Sequence, residues 1–162
     1  MIEKVKVGIG RDSRRFLPAD SSKPCVIAGL IFEDAPGFAA DSDGDVVFSS
    51  ICNAMTSVTG IPVLNGIAQD LCFKNGITDS QVYLEKALEA FGNRKIEHVA
   101  LSVEGKRPKL EDSILAIREN IAKVLNLRLD QVGFTVTSGE GLTDFGCGEG
   151  VQCFCILTVS EF

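Results

Sequence analysis

Nothing limits the architecture of this chain more than its last apolar run, VQCFCILTV at 151–159. Read as a strand with alternating sides, it sets Val151, Cys153, Cys155 and Leu157 against Gln152, Phe154, Ile156 and Thr158. Neither side is clearly polar, so both faces of the sheet it joins need cover. Runs rich in β-branched residues at 4–10 (KVKVGIG), 24–32 (PCVIAGLIF), 95–103 (KIEHVALSV) and 131–137 (QVGFTVT) supply its neighbours. Three helical patterns lie between them. The first, over 45–59, carries Val47, Phe48, Ile51, Met55 and Val58 on one stripe and stops at Gly60. The second opens on the capping-box pattern Thr78-Asp79-Ser80-Gln81, buries Tyr83, Ala87, Leu88 and Phe91, and ends at Gly92. The third follows Pro108, has Glu111 and Asp112 at its positive end, buries Ile114, Ile117, Ile121 and Val124, and closes near Asn126.

The order β-β-α-α-β-α-β-β predicts an α+β (α/β) sandwich: one mainly antiparallel sheet with helices on one face. A sheet apolar on both faces but helix-covered on one implies an oligomer, most simply a closed ring. With 162 residues and 45% hydrophobic content, the chain is expected to form one domain over 1–162.

A net charge of −6 disfavours nucleic acid and anionic membranes as partners, since both are bound through clustered Lys and Arg. The six cysteines form no C-x-x-C pair and mostly sit in apolar runs, the usage of a reducing compartment. No window approaches the roughly 18 apolar residues of a spanning helix, and the first ten residues lack the apolar core of a signal peptide. The expectation is a soluble, cytoplasmic protein.

Four polar stretches interrupt the apolar pattern: RDSRRF at 11–16, DSDGDVV at 41–47, GKRPKLED at 105–112 and TSGEGLTDFGCGEG at 137–150. DSDGD lacks the remaining ligands of a calcium loop; Ser42 and Asp43 suit a helix cap and Asp45 the helix dipole, yet these polar groups outnumber what a cap needs. The five glycines of 137–150, with Thr137, Ser138 and Glu140 among them, suit either a phosphate cradle or a wide connection between strands.

Taken together and in this order, the stretches resemble the 2-C-methyl-D-erythritol 2,4-cyclodiphosphate synthase family. GIGRDSRRF is similar to its first-strand motif G-x-G-x-D-x-H-x-F, SDGDVVFSSICNA to its H-S-D-G-D helix start, RPKL to its P-K-[LM] segment, and SGEGLTDFGCGEG to its T-[ST]-x-E…G-x-G-E-G segment. The resemblance covers about residues 5 to 160. It implies a homotrimer whose sheets line the axis, active sites between subunits, and a phosphorus–oxygen lyase reaction of the non-mevalonate isoprenoid route. In that reaction the 2-phosphate of a 4-diphosphocytidyl methylerythritol attacks the β-phosphate, giving a cyclic diphosphate and CMP. Two anions are pressed together, so the chemistry needs positioning and charge neutralisation rather than a covalent nucleophile.

The family uses a zinc ion held by one Asp and two His, and a second divalent ion held by a glutamate. Carried over by motif, the zinc aspartate falls on Asp12, but the histidines fall on Arg14 and Asp41, and the only histidine, His98, lies far from every motif. Guanidinium does not ligate zinc, so the set reads as a degenerate centre, net negative where the family's is net positive. Three readings stay open: Arg14 bridges Asp12 and Asp41, Arg14 faces substrate phosphate, or the two Asp bind a hard cation such as Mg²⁺. Asp45 matches a substrate-hydroxyl aspartate, Thr137 and Ser138 phosphate-contacting hydroxyls, and Glu140 the ligand of a second ion, Mg²⁺ or Mn²⁺. Pro108, Lys109 and Leu110 match the cytidine-contacting segment. The competing reading is a catalytically silent trimeric homologue that binds a cytidine diphosphate and has an Asp12–Arg14–Asp41 ion pair in the metal's place.

Overall fold

The first strand, β1 (Lys4–Arg15), pairs antiparallel over its whole length with the last, β6 (Gly150–Glu161), from Lys4 opposite Glu161 to Arg15 opposite Gly150. This register, seen in a computed structural model describing residues 3–162, carries RDSRR inside the strand rather than in a turn after it. The run at 24–32, expected as one strand, breaks into β2 (Cys25–Ile27) and β3 (Leu30–Phe32), a separate two-stranded hairpin. The break falls at Ala28 and Gly29, both at positive φ (55° and 76°). The left-handed turn admits Gly29 without strain and Ala28 only because surrounding contacts hold it.

Then follow α1 (Val46–Thr59), α2 (Gln69–Asn75), α3 (Ser80–Glu89), β4 (Lys95–Glu104), α4 (Ile114–Leu125) and β5 (Val132–Thr137). The main sheet has the order β1-β6-β4-β5; only β4 and β5 run parallel, so the expected mainly antiparallel sheet is observed. The helices α1 and α4 lie on one face, over Val99, Leu101, Val103, Val151, Cys153, Cys155, Leu157 and Val159, all buried. The alternation expected for β6 holds, since Phe154 and Ile156 are exposed on the opposite face.

Two glycines set the spacing between layers. A Cβ on Gly10 would stand 2.1 Å from the Ser50 carbonyl oxygen and 2.3 Å from the Ala54 nitrogen; one on Gly8 would stand 2.4 Å from the Ala54 oxygen. Helix α1 therefore rests directly on the backbone of β1, a close approach that only glycine permits. Past Gly10 the same face of the strand carries Asp12 and Arg14, which thus emerge beside the N-terminal half of α1.

The uncovered face carries Val5, Val7 and Ile9 of β1, each about 60–65% exposed, beside Ile156 and Phe154 of β6. His98 is exposed on this face too, not partly buried as a strand histidine usually is. Among the described residues no single helix is long and apolar enough to cross a membrane. Replacing Gly10 with Ala should lower the urea unfolding midpoint, by about 1–3 kcal/mol of overpacking or more. A midpoint equal to wild type would disprove the backbone contact.

Candidate functional site

A cavity of about 470 Å³ opens where β1 leaves α1 behind. Its polar wall includes Asp12, Arg14, Asp41, Ser42, Ser49 and Asn53, and the facing wall, mostly apolar, includes Leu64, Ala68, Cys72, Phe73 and Tyr83. Three of the sequence-derived candidates, Asp12, Arg14 and Asp41, therefore share one cleft.

Their pairing differs from the bridge considered first. Arg14 Nε donates to Asp12 Oδ2 at 3.1 Å, while among the described residues Asp41 has no ion-pair partner. Asp41 sits on an exposed turn, so the guanidinium stays on the carboxylate that shares its strand face. Burial raises the Asp12 pKa above the usual carboxylate range, against the pull of Arg14 and, more weakly, of Ser49. Ser49, one turn into α1, was not among the candidates; its position four residues after the helix-capping Asp45 marks it as facing the strand.

The turn carrying Asp41 is fixed from beneath by Lys23. Its Nζ donates to the carbonyls of Phe38 (2.9 Å), Ala40 (2.9 Å) and Ser42 (2.6 Å), using all three ammonium hydrogens. Burial lowers the Lys23 pKa, and Arg14 adds to this, while Asp43 and Asp41 oppose it. Nothing in the flanking SSKPC sequence marks Lys23 as an internal cation. The apolar wall was missed as well: a π-helical turn, Val63–Ala68, leads into α2. Pro62 and Gly66 interrupt its apolar spacing, although Gly76 in a left-handed C-cap and the Asp70–Lys74 pair four apart carry the helix signal.

Asp45, expected to match a substrate-hydroxyl aspartate, has structural contacts on every side. It is fully buried: Oδ1 accepts from the amides of Ala28 (2.9 Å), Val47 (3.1 Å) and Phe48 (3.2 Å), and Oδ2 from Gly29 (2.7 Å). It is itself the N-cap of α1, and it ties the strained β2–β3 turn to that helix. Burial and the nearby Asp43 push its pKa up to about 7, against the amides of Gly29, Ala28 and Phe48. Asp43, expected as the cap, instead accepts from Asp45 N, Ser80 N and Ser80 Oγ.

The remaining candidates lie elsewhere. Thr137, Ser138 and Glu140 are exposed at the end of β5, with Ser138 Oγ 3.3 Å from Glu140 Oε1 and Glu140 at φ 51°. Pro108 and Leu110 are buried; Lys109 is exposed, and its amide donates to Asp34 Oδ2 at 3.0 Å. Pairing runs in one row from Ser13 through Gln152 and Glu104 to Thr137. Ser13 and Thr137 thus stand at matching heights on opposite edges, three strand spacings or roughly 14 Å apart, while the neighbouring Arg14 points to the other face of the sheet.

The zinc that the resemblance implies does not fit this donor set. Asp12 is already engaged by a guanidinium, which leaves the Asp41 carboxylate, the lone Cys72 thiol and the neutral hydroxyls of Ser42 and Ser49, and no imidazole lines the cleft to complete a tetrahedron. Among the described residues no three His, Cys, Asp or Glu side chains cluster closely enough to hold a metal.

An α+β sandwich with a polar cleft beside the start of its first helix, and a Gly-rich hydroxyl loop across the sheet, has the layout of a small enzyme for anionic substrates. The YgbB family profile matches residues 5–160, and the chain belongs to that family. It is 56% identical over 158 residues to the 2-C-methyl-D-erythritol 2,4-cyclodiphosphate synthase of Chlamydia caviae, covering 97% of this chain and 90% of that one. To the protein of that name from Chlamydia trachomatis serovar L2b it is 52% identical over the same length, covering 97% and 89%. A solved structure of a 2C-methyl-D-erythritol-2,4-cyclodiphosphate synthase superposes with a TM-score of 0.81 at 28% identity, over 94% of this chain and 98% of that one. A CDP-bound form superposes with the same TM-score at 26% identity, over the same shares of the two chains.

Because Asp45 and Lys23 both satisfy backbone groups that would otherwise be orphaned, each should be costly to remove. Asp45→Ala and Lys23→Met are each expected to lower the unfolding free energy by about 2–4 kcal/mol in urea titrations. A loss below about 0.5 kcal/mol at either position would contradict its assigned contacts.

Proposed function

We propose that this chain is a 2-C-methyl-D-erythritol 2,4-cyclodiphosphate synthase of isoprenoid precursor biosynthesis. The observation that carries this reading is identity of 52–56% to chlamydial synthases across 97% of the chain. The substrate is 4-diphosphocytidyl-2-C-methyl-D-erythritol 2-phosphate. An oxygen of its 2-phosphate bonds to the β-phosphorus while the bond from that phosphorus to the bridging oxygen breaks. CMP carries away the electron pair, and the cyclic diphosphate remains.

This chain's own residues position those anions. The Thr137 and Ser138 hydroxyls and the loop amides after them suit phosphate oxygens, and Lys109 with Pro108 and Leu110 suits the cytidine side. A CDP-bound form among the solved structures supports a cytidine nucleotide as the ligand. Bound at Glu140, a Mg²⁺ or Mn²⁺ ion would neutralise phosphate charge.

A homotrimer completes the site in this reading. The Arg14 cleft and the Thr137 loop occupy opposite edges of one sheet, so a ring of copies brings the first edge of one against the last edge of the next. The exposed Val5, Val7, Ile9 and Ile156 then face the axis and lose their contact with water. Four of the six cysteines are buried and all six are free thiols, which fits a reducing cytoplasm.

The donor set beside Asp12 favours a second reading, a trimer that binds the cytidine nucleotide without turnover. Purified protein given the substrate and Mg²⁺ or Mn²⁺ should release CMP, followed by chromatography. Nucleotide binding by calorimetry with no CMP under any divalent ion would replace the first reading with the second. Sedimentation should give a mass of three chains, and a monomer would remove the shared site.

A further inference from the structure

Among the described residues the only ion pair of Arg14 uses Nε, and neither Nη atom finds an acceptor. Its side chain is about one-third exposed and lines both the 470 Å³ cavity and a second cavity of about 240 Å³ on the far side of the β1 end. A guanidinium pinned at Nε by a nearly buried carboxylate has lost most of its rotamer freedom. It presents two parallel N–H donors, the arrangement that takes two oxygens of one phosphate. The surroundings set the balance of charge. Asp12 neutralises Arg14 in part, and the Lys23 ammonium lies behind the turn that carries Asp41. Two fixed cations thus answer the two carboxylates of the cleft, and an arriving anion finds free donors on Arg14.

We propose that Arg14 is the phosphate-binding cation of this cleft. Asp12 holds it in place, and it receives a phosphate group of a phosphorylated ligand without a zinc ion at Asp12. The proposal rests on the synthase reading for the identity of the natural ligand, but not for the anion site itself. The disagreement between the implied zinc and the observed donors then has a physical content: a covalently attached, permanently charged group stands where an exchangeable ion was expected. Unlike zinc it cannot act as a Lewis acid or ionise a bound water, so its contribution is confined to binding and charge neutralisation.

The test is calorimetry on EDTA-treated protein with inorganic pyrophosphate as the probe, repeated with CDP. Wild type should bind pyrophosphate with the chelator present, and added Zn²⁺ should change the affinity less than about twofold. Arg14→Met should weaken binding about 10- to 100-fold, and Arg14→Lys, which keeps the charge but loses the fork, should fall between. Binding that appears only after Zn²⁺ is added, or Arg14 variants that bind like wild type, would overturn the proposal. Thermal unfolding checks each variant, and Arg14→Gln replaces Arg14→Met if the latter does not fold. Pyrophosphate binding that depends on Arg14, together with no CDP binding, would sink the nucleotide reading and leave the anion site standing. CDP binding together with pyrophosphate binding that ignores Arg14 would do the reverse.

Discussion

The contact on which the rest of this structure depends is the seat of α1 on Gly8 and Gly10. Because a side chain at either position would meet helix backbone at about van der Waals overlap, the helix axis lies closer to β1 than an ordinary sheet–helix layer allows. Two consequences reach the cleft. Asn53 of α1 can donate to the Arg11 carbonyl at 2.9 Å, locking the helix to the strand in register. The next inward-facing strand residues, Asp12 and Arg14, are delivered to the N-terminal part of the helix rather than to solvent. The cleft is therefore placed by two absent side chains more than by any polar contact within it.

Two titratable side chains, the buried Asp45 and the half-buried Lys23, then shape its surroundings by opposite means. Asp45 gathers amide hydrogens from two segments distant in sequence, the β2–β3 turn and the start of α1, so an anion joins two sets of donors. Lys23 gathers carbonyls from the single segment 38–42, so a cation bends one strand of chain around itself. Phe38, held in the same segment, stacks on Phe16 with ring centroids 5.0 Å apart, and Arg107 lies over the Phe16 ring at 4.6 Å. Through these contacts the end of β1, the turn carrying Asp41 and the 105–110 segment form one rigid rim.

The sequence made legible whatever is periodic. The β6 alternation and the stripe Val47, Phe48, Ile51, Met55 and Val58 of α1 announced the buried and exposed faces, because burial repeats with the element's own period. Asp45 was legible as important but its contacts were not: the composition of DSDGD shows an excess of acceptors, not the distant amides of Ala28 and Gly29 that donate to Asp45. Lys23 was illegible, since a cation that binds carbonyls has no partner type to search for. The Arg14–Asp41 bridge failed for a geometric reason. Asp12 and Arg14 share one strand face two residues apart, whereas Asp41 sits on a turn with its own support, and proximity along the strand decides the pairing.

What the sheet leaves unfinished follows from its strand order. In β1-β6-β4-β5 the two chemically useful ends, Arg14 and Thr137, are the outermost strands, and no side chain spans the roughly 14 Å between them. Folding this chain back on itself cannot shorten that distance, because β6 and β4 fill the space with a continuous ladder of paired residues. A ligand carrying a nucleotide at one end and a second phosphate at the other needs donors at both places. The same two edges, with the apolar face of Val5, Val7 and Ile9 between them and the next copy, are what an assembly would bring together. One demand, covering an apolar sheet face, and another, closing a divided anion site, would therefore be met by a single association. The charge argument sets its limit: with Asp12 neutralising part of Arg14, the cleft alone gives an anion less attraction than a divalent ion would. The hydroxyls and amides of the 137–150 loop must supply the remainder.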